Sequence, residues 1–298
     1  MNPTTPPVTD LPTKDILLNA TSLAHTACEQ DYNYVVVQGQ RTIEANEYLL
    51  FGNALHKFAE LKALKKDASY AISEAVRSYG GNDTARLVQA CMRMPPMDIE
   101  PYTEASGKPY VELKFKFYWR SFIYNGVLYN IWLCGTFDIV TMFSDGGVRI
   151  RDYKTTRKYK QSDVFISYSR SIQMRFYLWV AIKFGYNVFD MTVANATTQG
   201  NVCIQITAIF LSASPPNWVS GGILTMKPHE VDEFEALLVS HIERTILPAW
   251  DAPRQVGKLN NKCQTCDYAP ICHATSEENA ANALSMFKHI PYDPMTFR

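Results

Sequence analysis

The sequence lacks the features that direct a chain into or through a membrane. None of its apolar runs is long enough to span a bilayer. The N-terminus, MNPTTPPVTDLPT, has neither the basic start nor the apolar core of a signal peptide. Because this stretch is rich in Pro and Thr, we expect residues 1–15 to form a disordered leader. The default expectation is a cytoplasmic protein.

A net charge and a phosphate-binding loop are also missing. The 29 basic and 29 acidic residues give a formal net charge of zero, so any surface for nucleic acid has to be local. No GxxxxGK[ST] pattern occurs, and the chain therefore shows no sign of an ATP-driven motor of its own. The 47% hydrophobic and 19% charged residues are typical of a globular protein with a substantial core.

The chain also lacks an even number of cysteines. The chain has seven, and an odd number without an export signal argues against a disulfide framework. Cys263, Cys266 and Cys272 lie close together in NNKCQTCDYAPICHA. Metal and cluster centres usually have four ligands, so a fourth must come from elsewhere. Cys134 and Cys203 lie in apolar, strand-like runs and are interpreted most simply as small core residues.

The order of hydrophobic patterns predicts a mixed α/β fold with an N-terminal helical extension. Segments with helical periodicity predict helices, and apolar or alternating runs bounded by turn residues predict strands. Helices are predicted at about 45–67, 67–93, 171–185 and 228–250, and strands at about 110–119, 127–143, 148–156, 203–211 and 222–227. Helices thus precede a strand meander, after which helices and strands alternate.

The predicted strand VRIRDYKTT carries the first candidate site. Alternate strand residues share a face, so Asp152 and Lys154 point the same way. Asp138, on the neighbouring predicted strand, can complete a small site with two carboxylates, which suit Mg²⁺ or Mn²⁺. Such an ion polarises a phosphate and activates water, and the lysine neutralises developing charge. A cross-strand salt bridge on a solvated sheet face is the alternative interpretation.

Two predicted helices place further polar residues near one another. Gly52 and His56 are one turn apart in FGNALHKFAE, and imidazole readily joins Mn²⁺-type sites. Gln173 and Tyr177 are also one turn apart, and they could hydrogen-bond a phosphate and stack on a base. The alternative for Tyr177 is packing in the core.

In this order the motifs resemble those of RecB-like nucleases in the PD-(D/E)xK superfamily. The matches are G-x-x-x-H (Gly52, His56), G-x-x-D (Gly135, Asp138), D-x-K-T (Asp152, Lys154) and Q-x-x-x-Y (Gln173, Tyr177). The resemblance covers about residues 20–275. It implies a restriction-endonuclease-like fold, in which helices flank a mixed central sheet. We therefore expect a single nuclease domain over 16–275, followed by a C-terminal tail over 276–298.

The resemblance also assigns roles. His56, Asp138, Asp152 and the backbone carbonyl of Tyr153 would bind Mg²⁺ or Mn²⁺, and Lys154 would be the catalytic lysine. Gln173 and Tyr177 would contact DNA. Two departures are present: no proline precedes Asp138, and the middle acid is Asp152 rather than the commoner glutamate, which leaves the metal preference open. Glu112 in YVELKF is a further candidate acid, although an exposed strand glutamate is the commoner case.

Basic residues near these motifs predict a locally positive rim that contacts the DNA backbone. Its members are Arg149, Arg151, Arg157, Lys158, Lys160, Arg170 and Arg175. Of these, Arg157, Lys158 and Arg175 are the predicted DNA contacts. Solvated loop residues are the alternative.

The cysteine pattern resembles the iron–sulfur branch of the RecB-like nucleases, which includes AddB-type nuclease domains and the iron–sulfur exonuclease of CRISPR adaptation. In that branch one cysteine precedes the G-x-x-x-H helix and three follow the nuclease core. The resemblance implies that Cys28, Cys263, Cys266 and Cys272 hold a 4Fe–4S cluster. Zinc is the alternative, with Cys28 or His273 as the fourth ligand. Either centre would have a structural role.

The function expected from the resemblance is a metal-dependent DNA exonuclease acting on DNA ends or single strands. A structure-specific endonuclease with a helicase, recombination or CRISPR-adaptation partner is one alternative. A catalytically silent DNA-binding subunit is another, and retention of Asp138, Asp152 and Lys154 argues against it. A phage or CRISPR setting is expected, and the oligomeric state is not predicted.

Overall fold

The computed structural model describes residues 10–42, 47–158, 160–251, 263, 266–274 and 276–293. In chain order these begin with β1 (Thr13–Leu18), α1 (Ala20–His25), α2 (Glu29–Tyr32), a π-helical turn (Asn33–Val37), β2 (Gln40–Thr42), α3 (Glu47–Ala63), α4 (Ala68–Tyr79), α5 (Thr84–Met92), β3 (Val111–Tyr124), β4 (Val127–Met142) and β5 (Val148–Thr156). They continue with α6 (Gln161–Ser169), α7 (Ile172–Val188), α8 (Met191–Thr198), β6 (Val202–Phe210), β7 (Asn217–Leu224), α9 (Pro228–His241), a second π-helical turn (Ile242–Ile246), α10 (Leu247–Asp251), α11 (Ala269–Cys272), α12 (Glu277–Leu284) and β8 (Phe287–His289). Within the described ranges no helix is both long and apolar enough to cross a bilayer.

The chain groups into two compact units, each assembled from separate segments. The terminal unit comprises Met1–Ala45, Lys116–Gly135 and Glu235–Arg298, and the central unit comprises Asn46–Phe115 and Thr136–Phe234. The long strands β3 and β4 contribute residues to both. The single domain over 16–275 stays a prediction.

The central unit is built on a mixed sheet. The last residues of β4 pair antiparallel with the start of β5, β5 runs parallel to β6 along its whole length, and β6 pairs antiparallel with β7. A parallel pair requires a crossover connection, which α6, α7 and α8 supply. The predicted α/β fold, with helices flanking a mixed central sheet, is confirmed.

Helix α3 packs closely on β5 and so fixes one wall of this sheet. Phe51, Leu55 and Phe58 of α3 are buried in one hydrophobic cluster with Tyr153 of β5. A Cβ atom on Gly52 would lie 3.2 Å from the Thr155 Oγ1 atom. The glycine therefore permits the close approach of helix and strand.

One predicted helix boundary was wrong, and another coincides with a kink in the helix. The helix predicted over 67–93 is two helices, because Gly80 ends α4 in the left-handed conformation at φ 61°. Helix α7 extends to Val188, but its backbone is non-helical at Phe184 (φ −128°, ψ 26°), directly before the predicted end at Gly185. A Cβ atom on Gly185 would lie 2.5 Å from Thr197 Oγ1, so this glycine also allows close packing against α8.

The terminal unit contains pairings that local patterns did not predict. Strand β1 pairs in parallel with the first half of β4, from Thr13 opposite Leu128 to Leu18 opposite Leu133. Residues 13–15 of the predicted leader thus lie in a strand, whereas residues 1–9 lie outside the described part. Strand β8 pairs antiparallel with β2, so the segment predicted as a tail carries a helix and a strand.

Candidate active site and metal centres

The central unit brings the motif residues of β4, β5 and α3 together. Because Ile139 of β4 pairs with Arg151 of β5, the adjacent Asp138 and Asp152 lie on neighbouring strands at the same level. Both carboxylates are buried. The Asp138 Oδ2 atom lies 3.3 Å from His56 Nδ1 and accepts a hydrogen bond of 2.9 Å from the backbone N–H of Tyr153.

A third potential ligand joins this group from β3. One ligand atom each of His56, Glu112 and Asp138 all lie within 4.8 Å of one another. Glu112 has a left-handed backbone, at φ 51°, which costs an L-residue about 1–2 kcal/mol. Backbone strain of this kind concentrates at functional sites. From the sequence, an exposed strand residue was the favoured interpretation of Glu112 over an acid of the site. Strand alternation does not reveal a local left-handed residue.

Asp152 and Lys154 form the second half of the site. The Lys154 Nζ atom lies 2.7 Å from Asp152 Oδ2. The two side chains therefore form a buried ion pair. It is not the solvated surface salt bridge of the alternative interpretation, because the Asp152 side chain is only 4% exposed.

The pKa values of the two carboxylates are shifted in opposite directions. Burial raises the pKa of Asp138, but His56, Lys154 and the Tyr153 N–H together outweigh it and hold the pKa below its ordinary value. For Asp152, burial and then the Asp138 charge raise the pKa despite the attraction of Lys154. Burial lowers the pKa of Lys154, but the charges of Asp152 and Asp138 raise it by a larger amount. The pKa therefore lies above its ordinary value, and the ammonium form is stabilised.

These residues fit a hard divalent cation. The carboxylates of Glu112 and Asp138 suit Mg²⁺ or Mn²⁺, and the His56 imidazole is a nitrogen ligand that Mn²⁺ accepts. Asp152 does not belong to this group of three potential ligands. A positive ion would also relieve the repulsion that raises the pKa of Asp152. The backbone carbonyl of Tyr153 stays a predicted ligand.

Helices α6 and α7 add two tyrosines to the site. Tyr177 hydrogen-bonds Gln173, packs edge-on against Phe137 at 5.2 Å and is 9% exposed. Burial and then the Asp152 charge raise its pKa to about 12. Tyr168, which sequence reasoning missed, also interacts with the charges of Asp152 and Lys154, and burial raises its pKa. DNA contact by Gln173 and Tyr177 stays a prediction.

The predicted basic rim is only partly exposed. Arg157 and Lys158 are exposed directly after β5. Arg149 and Arg151 are buried and share the Asp98 carboxylate, so they do not belong to an exposed rim. Their alternation with Asp152 places them on the other strand face.

Arg175 is exposed, but it lies away from the other predicted DNA contacts. It is two residues from both Gln173 and Tyr177, about 200° around α7. Its charge helps to lower the pKa of Glu230, after a hydrogen bond from the Lys227 backbone. The helix geometry therefore gives its predicted DNA contact no support.

The four cysteines predicted as ligands interact electrostatically in the terminal unit, and their binding of a metal or cluster stays a prediction. Burial, and then the charges of Cys266, Cys28 and Cys263, raise the pKa of Cys272 to about 11. The pKa of Cys266 is raised in the same way. Cys28 is thus within electrostatic reach of the C-terminal three, although they are far apart in sequence. His273 is exposed at the end of α11.

Cys91 and Cys134 have a different environment. Both are buried, and burial raises the pKa of each thiol to about 12. A neutral, enclosed thiol is a poor ligand and a poor nucleophile. The interpretation of Cys134 as a core residue agrees with this environment.

Comparison with known proteins assigns the chain to a family and finds distant likenesses among solved structures. The model of the PD-(D/E)XK nuclease superfamily matches residues 20–273. Among solved structures the chain is similar to "Crystal structure of SSO0001", with 16% identity and a TM-score of 0.31, covering 76% of this chain and 85% of that one. No significant match was found among the curated proteins.

Proposed function

Because the chain belongs to the PD-(D/E)XK nuclease superfamily, we propose that it is a Mg²⁺- or Mn²⁺-dependent deoxyribonuclease that hydrolyses phosphodiester bonds. The observation that carries the proposal is the buried pair of Asp138 and Asp152 with the Lys154 ammonium 2.7 Å from Asp152. Burying two acids and a cation is costly. A purely structural role would be served more cheaply by apolar residues.

The metal ligands proposed are His56, Glu112, Asp138, Asp152 and the Tyr153 carbonyl. The ion would supply Lewis-acid stabilisation of the scissile phosphate and lower the pKa of a bound water. The Tyr153 N–H and the His56 ring orient the Asp138 carboxylate through the contacts at 2.9 and 3.3 Å. Such supporting contacts keep metal ligands in position.

Lys154 supplies the fixed positive charge of the site. Its raised pKa keeps it an ammonium at neutral pH. It can therefore neutralise the charge that develops on the phosphate oxygens and orient the attacking water. Tyr177 remains a phenol because burial and then the Asp152 charge raise its pKa. Its O–H is therefore available as a donor at the wall of the site.

The proposed substrate is DNA with an end or an unpaired strand, degraded as by an exonuclease. Arg157 and Lys158, exposed just after the catalytic strand, would contact its phosphates. In the terminal unit, Cys28, Cys263, Cys266 and Cys272 are proposed to hold a structural 4Fe–4S cluster, with zinc as the alternative.

The test compares end-labelled single-stranded, duplex and circular DNA, each with Mg²⁺, Mn²⁺ or EDTA. We expect metal-dependent loss of the linear substrates and no cleavage of the circle. Asp152→Asn and Lys154→Met should each abolish cleavage, whereas Asp232→Asn, at a side chain 76% exposed on α9, should not. Full cleavage by either site variant would refute the assignment, and cleavage of circular DNA would indicate an endonuclease.

A further inference from the structure

One face of α3 follows β5 outward from the metal ligands in a regular series of contacts. The ring of His56 meets Tyr153 edge-on, with centroids 6.3 Å apart. One turn earlier, Gly52 approaches Thr155. One further turn earlier, the ring of Tyr48 lies under the Arg157 guanidinium, whose carbon is 3.0 Å from the ring centroid. Positions four apart share a helix face, as two apart share a strand face.

The outermost contact of this series is exposed but firmly held. Tyr48 is 41% exposed, and Arg157 is exposed. The chain on either side of Arg157 is anchored, because the Leu211 N–H donates to the Thr156 carbonyl at 2.8 Å and the Ser212 hydroxyl donates to the Lys158 carbonyl at 3.2 Å. An exposed aromatic ring paired with a fixed guanidinium offers a flat, positively charged surface.

We propose that Tyr48 and Arg157 form a platform on which an unpaired base of the nucleic acid stacks, so that Tyr48 is a specificity-determining residue favouring single-stranded substrate. This inference rests on the proposed nuclease function. The stacked base contacts the exposed part of the Tyr48–Arg157 pair, and the guanidinium N–H groups bind the adjoining phosphate. A duplex hides the faces of its bases except at its ends, and it gains little from such a platform.

The distance from the metal ligands fixes which base is involved. Tyr48 precedes His56 by eight residues, so it lies about 12 Å along the helix axis from it at 1.5 Å per residue. That length corresponds to about three or four stacked nucleotides at 3.4 Å each. The base on the platform is therefore about three or four nucleotides from the phosphate at the metal site.

The experiment measures binding of a fluorescein-labelled single-stranded oligonucleotide to the full-length protein by anisotropy, with Ca²⁺ replacing Mg²⁺ to suppress hydrolysis. Tyr48→Ala should weaken binding by on the order of tenfold, as expected for loss of one stacked base. Tyr48→Phe, which keeps the ring, should restore most of it. Tyr70→Ala, at another exposed tyrosine of the central unit, should bind as the wild type does.

A series of oligonucleotides with one abasic position then separates stacking from a structural defect. The affinity of the wild type should fall by about the same factor when the abasic position coincides with the platform. The affinity of Tyr48→Ala should not change when the abasic site is at that one position. An equal loss for Tyr48→Ala on every oligonucleotide, or no loss at all, overturns the platform. If the wild type degrades no DNA with Mg²⁺ or Mn²⁺, the proposed function fails, while the binding series still judges the platform.

Discussion

Replacing Glu112 by glycine should separate the metal site from the stability of the fold. Glu112 has its carboxylate beside His56 and Asp138 and its backbone at φ 51°. Glycine adopts that backbone without steric cost but carries no carboxylate. We therefore expect Glu112→Gly to lose metal affinity without losing stability, which is the reverse of the usual outcome for a strand glycine.

The two magnitudes follow from the backbone and from the ligand set. Relief of the left-handed conformation contributes about 1–2 kcal/mol, and the greater unfolded-state entropy of glycine costs about 0.5–1 kcal/mol. The net effect is a gain of roughly 0–1.5 kcal/mol in the free energy of unfolding without metal. Loss of one carboxylate ligand should weaken Mn²⁺ binding at least tenfold, or about 1.4 kcal/mol.

Calorimetric Mn²⁺ titration and urea unfolding in EDTA measure the two effects. Lys65→Gly is the matched control, since Lys65 is also left-handed, at φ 56°, and its ion pair with Glu100 is exposed. It should gain similar stability and bind Mn²⁺ as the wild type does. Unchanged Mn²⁺ affinity in Glu112→Gly would remove Glu112 from the ligand set, and a loss of more than about 1 kcal/mol of stability would refute the strain argument.

Two further predictions concern the other motif residues. Cys28→Ser should lose the bound metal and lower the melting temperature, whereas Cys203→Ser should keep the metal and the wild-type melting temperature. Wild-type protein purified anaerobically should absorb visible light. Colourless protein with stoichiometric zinc would contradict a cluster. Gly52→Ala should reduce the rate of DNA cleavage, because its Cβ would push α3 and His56 away from Thr155. Its stability should change by less than about 1 kcal/mol, since alanine's helix propensity offsets the contact, and an unchanged cleavage rate would show that close packing is not required.

The sequence sufficed where a local pattern and the final environment agree. Strand β5 has the predicted bounds, 148–156, because a segment rich in β-branched residues lies between the SDGG turn and a basic loop. His56 and Asp138 meet because their helix and strand pack in the way the family motif implies. The interruption between α4 and α5 was not predicted, although Gly80 and Gly81 are strong helix breakers and gave a local signal for it.

The features that sequence reasoning missed depend on non-local partners or on single backbone angles. Arg149 and Arg151 are buried because Asp98, in a loop about 50 residues earlier, pairs with both. Strand β1 is stabilised by parallel pairing with β4, more than 100 residues later. Neither partner has a local signal. The orientation of Glu112 depends on one φ angle, which no hydrophobic pattern encodes.

The proposed cysteine centre would depend on the same kind of long-range connection. Cys28 and Cys263 enclose a loop of about 235 residues, which contains the whole central unit, and a crosslink that survived unfolding would contribute about 5 kcal/mol through loop entropy. That is comparable with the total stability of many domains. Strands β2 and β8 join nearly the same two segments, and the stacked rings of Tyr34, Tyr268 and Phe287 lie beside them. These weaker contacts disappear on unfolding, so they cannot replace a covalent or metal crosslink in the unfolded chain. A structural role alone would therefore account for the proposed metal centre, without any redox chemistry.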